Sequence, residues 1–295
     1  MKNAIHLLIG AGLIAATGAH ASEGGGSVYP NGAENFVAGA LPPPGIYGIA
    51  FVNHYEANRL NDAAGRQIGI PGFKVRATAI TPRVIWVPGV QVLGGDLVAH
   101  MLAPLVEVEA RIGGQSQKKS GLGDITMGLG VGHHHGPNLH SIVGLDVTLP
   151  TGSYKSGDLA NLGRNYTALE PVLAVSYINS QGFNGDLRVG YLINQVNKAT
   201  DYRSGQEFHL DYAAGWGVGS GWVLGLGGYY RKQTELDRQA GVNLPNSKTS
   251  GMAIGPSIKY DSGRGWFLTA KWQFEKNVKN GSQGNALWLR AVLPL

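Results

Sequence analysis

Phe208-His209-Leu210-Asp211-Tyr212-Ala213-Ala214-Gly215-Trp216 alternates between two chemistries along its whole length. Phe208, Leu210, Tyr212, Ala214 and Trp216 fall on one parity, whereas Glu207, His209, Asp211, Ala213 and Gly215 fall on the other. A period of two sends successive side chains to opposite faces of a strand, so one face suits lipid and the other suits water. The preceding segment repeats the pattern, with Leu187, Val189, Tyr191 and Ile193 outward and Asp186, Arg188, Gly190 and Asn194 inward. Further on, Trp266, Leu268, Ala270, Trp272 and Phe274 alternate with Thr269, Lys271, Gln273 and Glu275. Aromatic residues concentrated at the strand ends of an apolar face are a mark of transmembrane barrels, not of soluble sandwiches.

The same test predicts twelve strands, near 46–56, 73–87, 90–110, 122–133, 139–150, 166–178, 184–196, 206–218, 222–233, 250–261, 265–276 and 285–295. Pro82, Pro88 and Pro104 interrupt the second and third, where they mark bulges or a bent rim. Pro88-Gly89, Ser180-Gln181-Gly182, Gly219-Ser220-Gly221 and Ser262-Gly263-Arg264-Gly265 read as tight turns, since glycine supplies positive φ. The polar stretches 57–72, 112–121, 151–165, 197–205, 234–249 and 277–284 read as longer loops. Short turns on one rim, long loops on the other and an even strand number define an antiparallel up-and-down barrel of the outer membrane. The chain ends inside a strand, with Leu289, Ala291, Leu293 and Leu295 on one face, placed to close on the first.

The composition agrees. Gly 46 and only 15% charged residues suit a sheet that must bend and face lipid. With Cys 0, thiolate catalysis, disulfides and cysteine metal sites are excluded. A formal net charge of +5, with no basic run beyond Lys118-Lys119, gives nucleic-acid binding no support. Residues 1–21 read as a signal peptide: Lys2, the apolar run Ile5 to Ala16, then Ala19-His20-Ala21 before Ser22. Later segments are broken by glycine and charge before they reach the roughly 20 apolar residues of a spanning helix, so spanning requires a closed barrel. Residues 22–44, with Gly24 to Gly26 and Pro42 to Pro44, form an extended segment that is either a periplasmic lead or a lumen plug, and 45–295 form the barrel.

Several segments carry a resemblance. Val28-Tyr29-Pro30-Asn31-Gly32-Ala33-Glu34 and Ala38-Gly39-Ala40-Leu41-Pro42-Pro43-Pro44-Gly45-Ile46-Tyr47 open the set. Gly121-Leu122-Gly123-Asp124-Ile125, Pro150-Thr151-Gly152-Ser153-Tyr154, Asn197-Lys198-Ala199-Thr200-Asp201-Tyr202-Arg203-Ser204-Gly205 and Gly227-Gly228-Tyr229-Tyr230-Arg231-Lys232-Gln233, running on to Asp237, complete it. As an ordered series these resemble the outer-membrane transporter family named for the meta pathway of phenol degradation. The resemblance implies a barrel in a Gram-negative outer membrane that admits aromatic or other hydrophobic carbon sources. Its expected partners are the lipid bilayer, small hydrophobic or aromatic solutes and the barrel assembly machinery, with no cofactor.

For a pore, the working residues are those facing inward. The alternation points Glu170, Asp186, Arg188, His209, Asp211, Arg231, Lys259, Lys271, Glu275 and Arg290 into the lumen. Opposed charges across a narrow lumen set up a transverse field that orders water and selects solutes, or they pair and fill the barrel. His209 and Asp211 share a face, which fits general-base chemistry, but no nucleophile is identifiable beside them. A lipid-face hydrolase would need outward His and Ser, and the expected register turns both His54 and His209 inward. His133-His134-His135 alternate across a strand and do not converge on a metal without a bend. Gly128-Leu129-Gly130-Val131-Gly132 lacks the lysine of a phosphate loop and reads as strand. Three functions stay open: a passive channel, a barrel enzyme of lipase or protease type, and a structural barrel without transport.

Overall fold

The computed structural model describes residues 26–295; the expected signal peptide and the first residues of the segment after it lie outside that range. The wall consists of β1 (Gly45–Asn61), β2 (Lys74–Val87), β3 in two pieces (Gly95–Leu102 and Leu105–Ile112) and β4 in two pieces (Gln115–Leu122 and Ile125–His134). It continues with β5 (Leu139–Leu149), β6 (Ala168–Tyr177), β7 (Gln181–Asn194), β8 (Glu207–Gly219), β9 (Trp222–Gln233), β10 (Ser250–Asp261), β11 (Phe267–Lys279) and β12 (Gly281–Pro294). Neighbours in sequence pair antiparallel, and β12 pairs with β1 from Tyr47↔Pro294 to Asn61↔Gly281, so the twelve-stranded sheet closes on itself. Closure satisfies the ladder hydrogen bonds that an open edge would expose to hydrocarbon. Among the described residues no helix is long and apolar enough to cross a membrane.

The outer surface is apolar. Leu187, Trp216, Leu224, Leu226, Trp272 and Leu289 are all exposed there, an arrangement that water would penalise and lipid stabilises. Trp222, Tyr260 and Trp266 cluster beside the turns 220–221 and 262–266, with ring centroids 4.7 and 5.7 Å apart. That cluster forms part of an aromatic girdle on the short-turn rim.

Local differences from the expected strands have physical causes. Residues 105–122 form a hairpin around Gly113-Gly114, where a loop over 112–121 is expected. Its first strand has an apolar parity in Val106, Val108, Ala110 and Ile112, but its second, Gln115–Leu122, carries polar residues on both faces, so no alternation reveals it. Cross-strand ion pairs such as Lys118–Glu107 at 2.8 Å link its two strands. At Pro104 the register changes from Leu102↔Thr126 to Leu105↔Leu122, so β4 contributes one more residue than β3, a bulge where the proline interrupts the ladder. The expected loop 277–284 shrinks to a turn at Asn280, with Asn277 and Asn280 at φ of 52° and 50°, a conformation asparagine tolerates. Two of the long loops meet in a small three-stranded sheet of Tyr202–Arg203, Arg238–Gln239 and Val242–Asn243.

His54 corrects the expected phase of β1. It is exposed and its Nδ1 lies 2.9 Å from Thr78 Oγ1, while Ile49, Phe51 and Ala57 occupy the buried parity. Both faces of β1 carry apolar residues, so alternation alone gave no phase there.

Candidate functional site

The inward faces of the strands converge on a segment of the chain itself. Residues 26–42 run through the barrel interior before Pro43 and Pro44 emerge exposed at the rim, and several of them meet wall side chains placed by the alternation. Near the short-turn rim, the Gly39 N–H donates to Ser176 Oγ at 2.7 Å and the Ala38 N–H to Asp186 Oδ1 at 2.8 Å. Ser176 also donates to Asp186. Phe36, 1% exposed, packs against Ala213 and Val223. Asp211 accepts from the N–H groups of Gly32 (2.7 Å) and Glu34 (2.9 Å) and from the Tyr29 hydroxyl (2.6 Å). Lys271 Nζ donates to the Glu34 carbonyl at 2.7 Å. The Tyr29 ring stacks on His209 at 4.3 Å, and the Arg188 guanidinium carbon lies 4.3 Å from the same ring. Higher still, Ser27 Oγ donates to Glu207 at 2.6 Å.

The ten sequence-expected residues occupy the interior and are engaged there. Glu170 pairs with Arg188 (2.7 Å) and His209 (3.1 Å), Arg231 with Glu207 (3.4 Å), and Lys259 with Asp261 (3.5 Å). Glu275 accepts from Tyr55 (3.0 Å), Tyr229 (2.5 Å) and the Gly284 N–H (2.7 Å). Arg290 donates to Glu34 Oε2 at 2.7 Å and to the Phe36 carbonyl. These contacts bring Arg188, His209 and Asp211 together around Tyr29, whereas Arg231 and Glu275 sit toward the long-loop rim and Lys259 toward the opposite rim.

Sequence reading missed the residues that complete the constellation. Glu34 bridges Arg83 (3.0 Å) and Arg290, and His100 Nε2 lies 2.9 Å from Asp146, which also meets Arg188 at 3.3 Å. Asp146 was legible, because Leu145 and Val147 flank it as outward residues. Glu34 had no periodic context to reveal it. The glycines of β4 leave room for the interior: a Cβ at Gly128 would run into the Asp146 and His100 side chains, and one at Gly132 into Leu41. At the rim, His134 Nδ1 faces His140 Nδ1 at 2.7 Å, while His135 meets Ser141 and His133 meets the Leu93 carbonyl. Among the described residues no group of three or more His, Asp or Glu side chains could hold a metal ion.

Two cavities remain around the segment. One, of about 400 Å3, opens toward the long-loop rim and is walled by Phe51, Leu102, Val106 and Trp288 together with polar side chains such as Arg231 and Glu275. The second, of about 220 Å3, lies toward the short-turn rim against Leu41, Ile85, Val98, Ile142, Phe267 and Val292. Glu34, Arg83, His100, Asp146 and Arg188 border both, so this polar layer separates two mainly apolar chambers.

A closed twelve-stranded barrel with an apolar belt, a polar interior and its own N-terminal segment in the lumen defines a transmembrane β-barrel of the outer-membrane class. The chain belongs to the family described as "Putative MetA-pathway of phenol degradation", whose model matches residues 57–291. Its fold is similar to that of an outer membrane channel from Pseudomonas putida F1, with a TM-score of 0.77 and 18% identity over 88% of this chain and 98% of that one. The translocator domain of the autotransporter NalP from Neisseria meningitidis is also similar, at a TM-score of 0.49 and 12% identity over 86% of this chain and 90% of that one. No curated protein sequence matches the chain.

Proposed function

We propose that the protein is an outer-membrane channel for passive or facilitated uptake of small aromatic or other hydrophobic compounds, with residues 26–44 as its constriction. The observation that carries this reading is the pair of mainly apolar cavities in line along the lumen, parted by one layer of side chains around Glu34. An engineered protein cavity of about 150 Å3 holds benzene, so either chamber is large enough for a single aromatic ring. The family's description names phenol degradation, and the similar Pseudomonas protein is described as a channel, which supports the same class of function. In this reading the ten inward residues act by holding the segment and setting the polarity of the path, and no catalytic step is assigned to them. His209, the candidate base, stacks on Tyr29 and pairs with Glu170, and among the described residues it hydrogen-bonds no serine or threonine hydroxyl. Insertion by the barrel assembly machinery belongs to the same proposal.

The paired lumen charges favour a second reading, a structural barrel permanently closed by its own N-terminus. Flux separates the two. Proteoliposomes bearing the full chain are expected to take up benzyl alcohol faster than protein-free vesicles, and faster again when residues 23–44 are deleted. No difference among the three preparations would overturn the channel reading.

A further inference from the structure

The Glu34 carboxylate is held between two arginines that it leaves only partly satisfied. Its Oε1 takes Nη1 of Arg83 at 3.0 Å and its Oε2 takes Nη1 of Arg290 at 2.7 Å. A guanidinium has five N–H donors, and the Nε atoms of both arginines are buried with no hydrogen-bond partner among the described residues. The Arg290 side chain is 4% exposed and borders the 220 Å3 cavity, as does Arg83. Leaving such donors unmet in an apolar surround is costly, and planar bidentate binding of a carboxylate is the arrangement that satisfies them. The rest of that chamber is built for an apolar body: Ile49, Ile85, Val98 and Val292 line it, together with the Phe267 ring, which lies 5.3 Å from the Arg290 guanidinium carbon.

We propose that Arg83 and Arg290 form a recognition site for an organic monocarboxylate with an aromatic body, and that Glu34 occupies this site as an internal stand-in for the ligand's carboxylate. The ring lies in the inner chamber, its carboxylate takes the two guanidinium groups, and the displaced Glu34 side chain turns to the water of the outer cavity. Anionic aromatic acids are therefore bound in preference to neutral aromatics of the same size. This deepens the channel reading by naming a substrate class, and it is tested by equilibrium binding, which does not depend on conduction.

The test uses the detergent-solubilised full chain, with benzoate, benzyl alcohol and acetate titrated calorimetrically. An internal competitor lowers apparent affinity by the fraction of sites it leaves free, so Glu34→Gln is expected to tighten benzoate binding by about tenfold or more. Benzyl alcohol is expected to be unaffected, and acetate to bind more weakly than benzoate. In the Glu34→Gln background, adding Arg83→Gln or Arg290→Gln removes the gain without leaving an unpaired glutamate. Heat-modifiable migration on gels reports that each variant has folded. The proposal is overturned if benzoate binds Glu34→Gln no tighter than wild type, if acetate matches benzoate, or if the gain survives either arginine substitution. Benzyl alcohol flux fails independently if the channel reading itself is wrong.

Discussion

The Tyr29 hydroxyl donates to Asp211 at 2.6 Å, joining the N-terminal segment to a wall strand across 182 positions of sequence. The same carboxylate caps the N–H groups of Gly32 and Glu34, so one side chain holds three donors of the segment inside the barrel. Hydrogen bonds to a charged acceptor contribute about 1.5–3 kcal/mol each. Asp211→Ala is therefore expected to free residues 26–36 while leaving the barrel intact. Hydrogen exchange read by mass spectrometry checks this: protection is lost in the segment and kept in β8. Equal loss in both would mean that Asp211 supports the wall and not the segment.

Gly39 passes close to β6, and a Cβ there would lie 2.7 Å from the backbone of Val175. Backbone cannot yield as a flexible side chain does, so Gly39→Ala is expected to push the segment off the wall. Benzyl alcohol flux through proteoliposomes should rise toward that of the variant lacking residues 23–44. Unchanged flux would show that the segment does not limit passage.

Leu226 is half exposed on the lipid face of β9, in the body of the strand between the short turn at 220–221 and the loop that follows Gln233. Arginine at such a depth costs about 2–4 kcal/mol, falling toward zero near the interfaces. Leu226→Arg should lower the folding free energy by that order in urea titrations with lipid vesicles. A neutral result would place Leu226 away from hydrocarbon and contradict the register.

Asp158, on the long loop between β5 and β6, accepts from Lys119 Nζ at 2.5 Å. That hydrogen bond holds its carboxyl below the ordinary carboxylate range. A depressed folded value means that the tie stabilises the loop above the usual carboxylate pKa of about 4 and is lost as pH falls through the lower folded value. The carboxyl resonance of Asp158 should titrate below that reference in wild type and move up in Lys119→Gln. Identical midpoints would remove Lys119 as the cause.

The alternation in β7, β8 and β11 was readable because lipid and an aqueous lumen impose opposite demands on the two faces. Where that contrast fades, so does the signal. The strand piece 115–122 carries polar residues on both sides, and β1 is apolar on both, which hid the outward position of His54. Inward charges such as Arg188 and Asp211 could be assigned to a face from sequence. Their partners could not, because Tyr29, Gly32 and Glu34 belong to a segment with no periodicity, ordered by the barrel around it. The bridge from Arg83 through Glu34 to Arg290 joins three distant parts of the chain and exists only once the barrel has closed.

Single-channel recording in planar bilayers tests most directly whether the segment 26–44 is the constriction of a channel. The full chain is expected to show a low conductance, and the chain lacking residues 23–44 a severalfold larger one with the barrel still folded. Equal conductance in the two, or none in either, would contradict it.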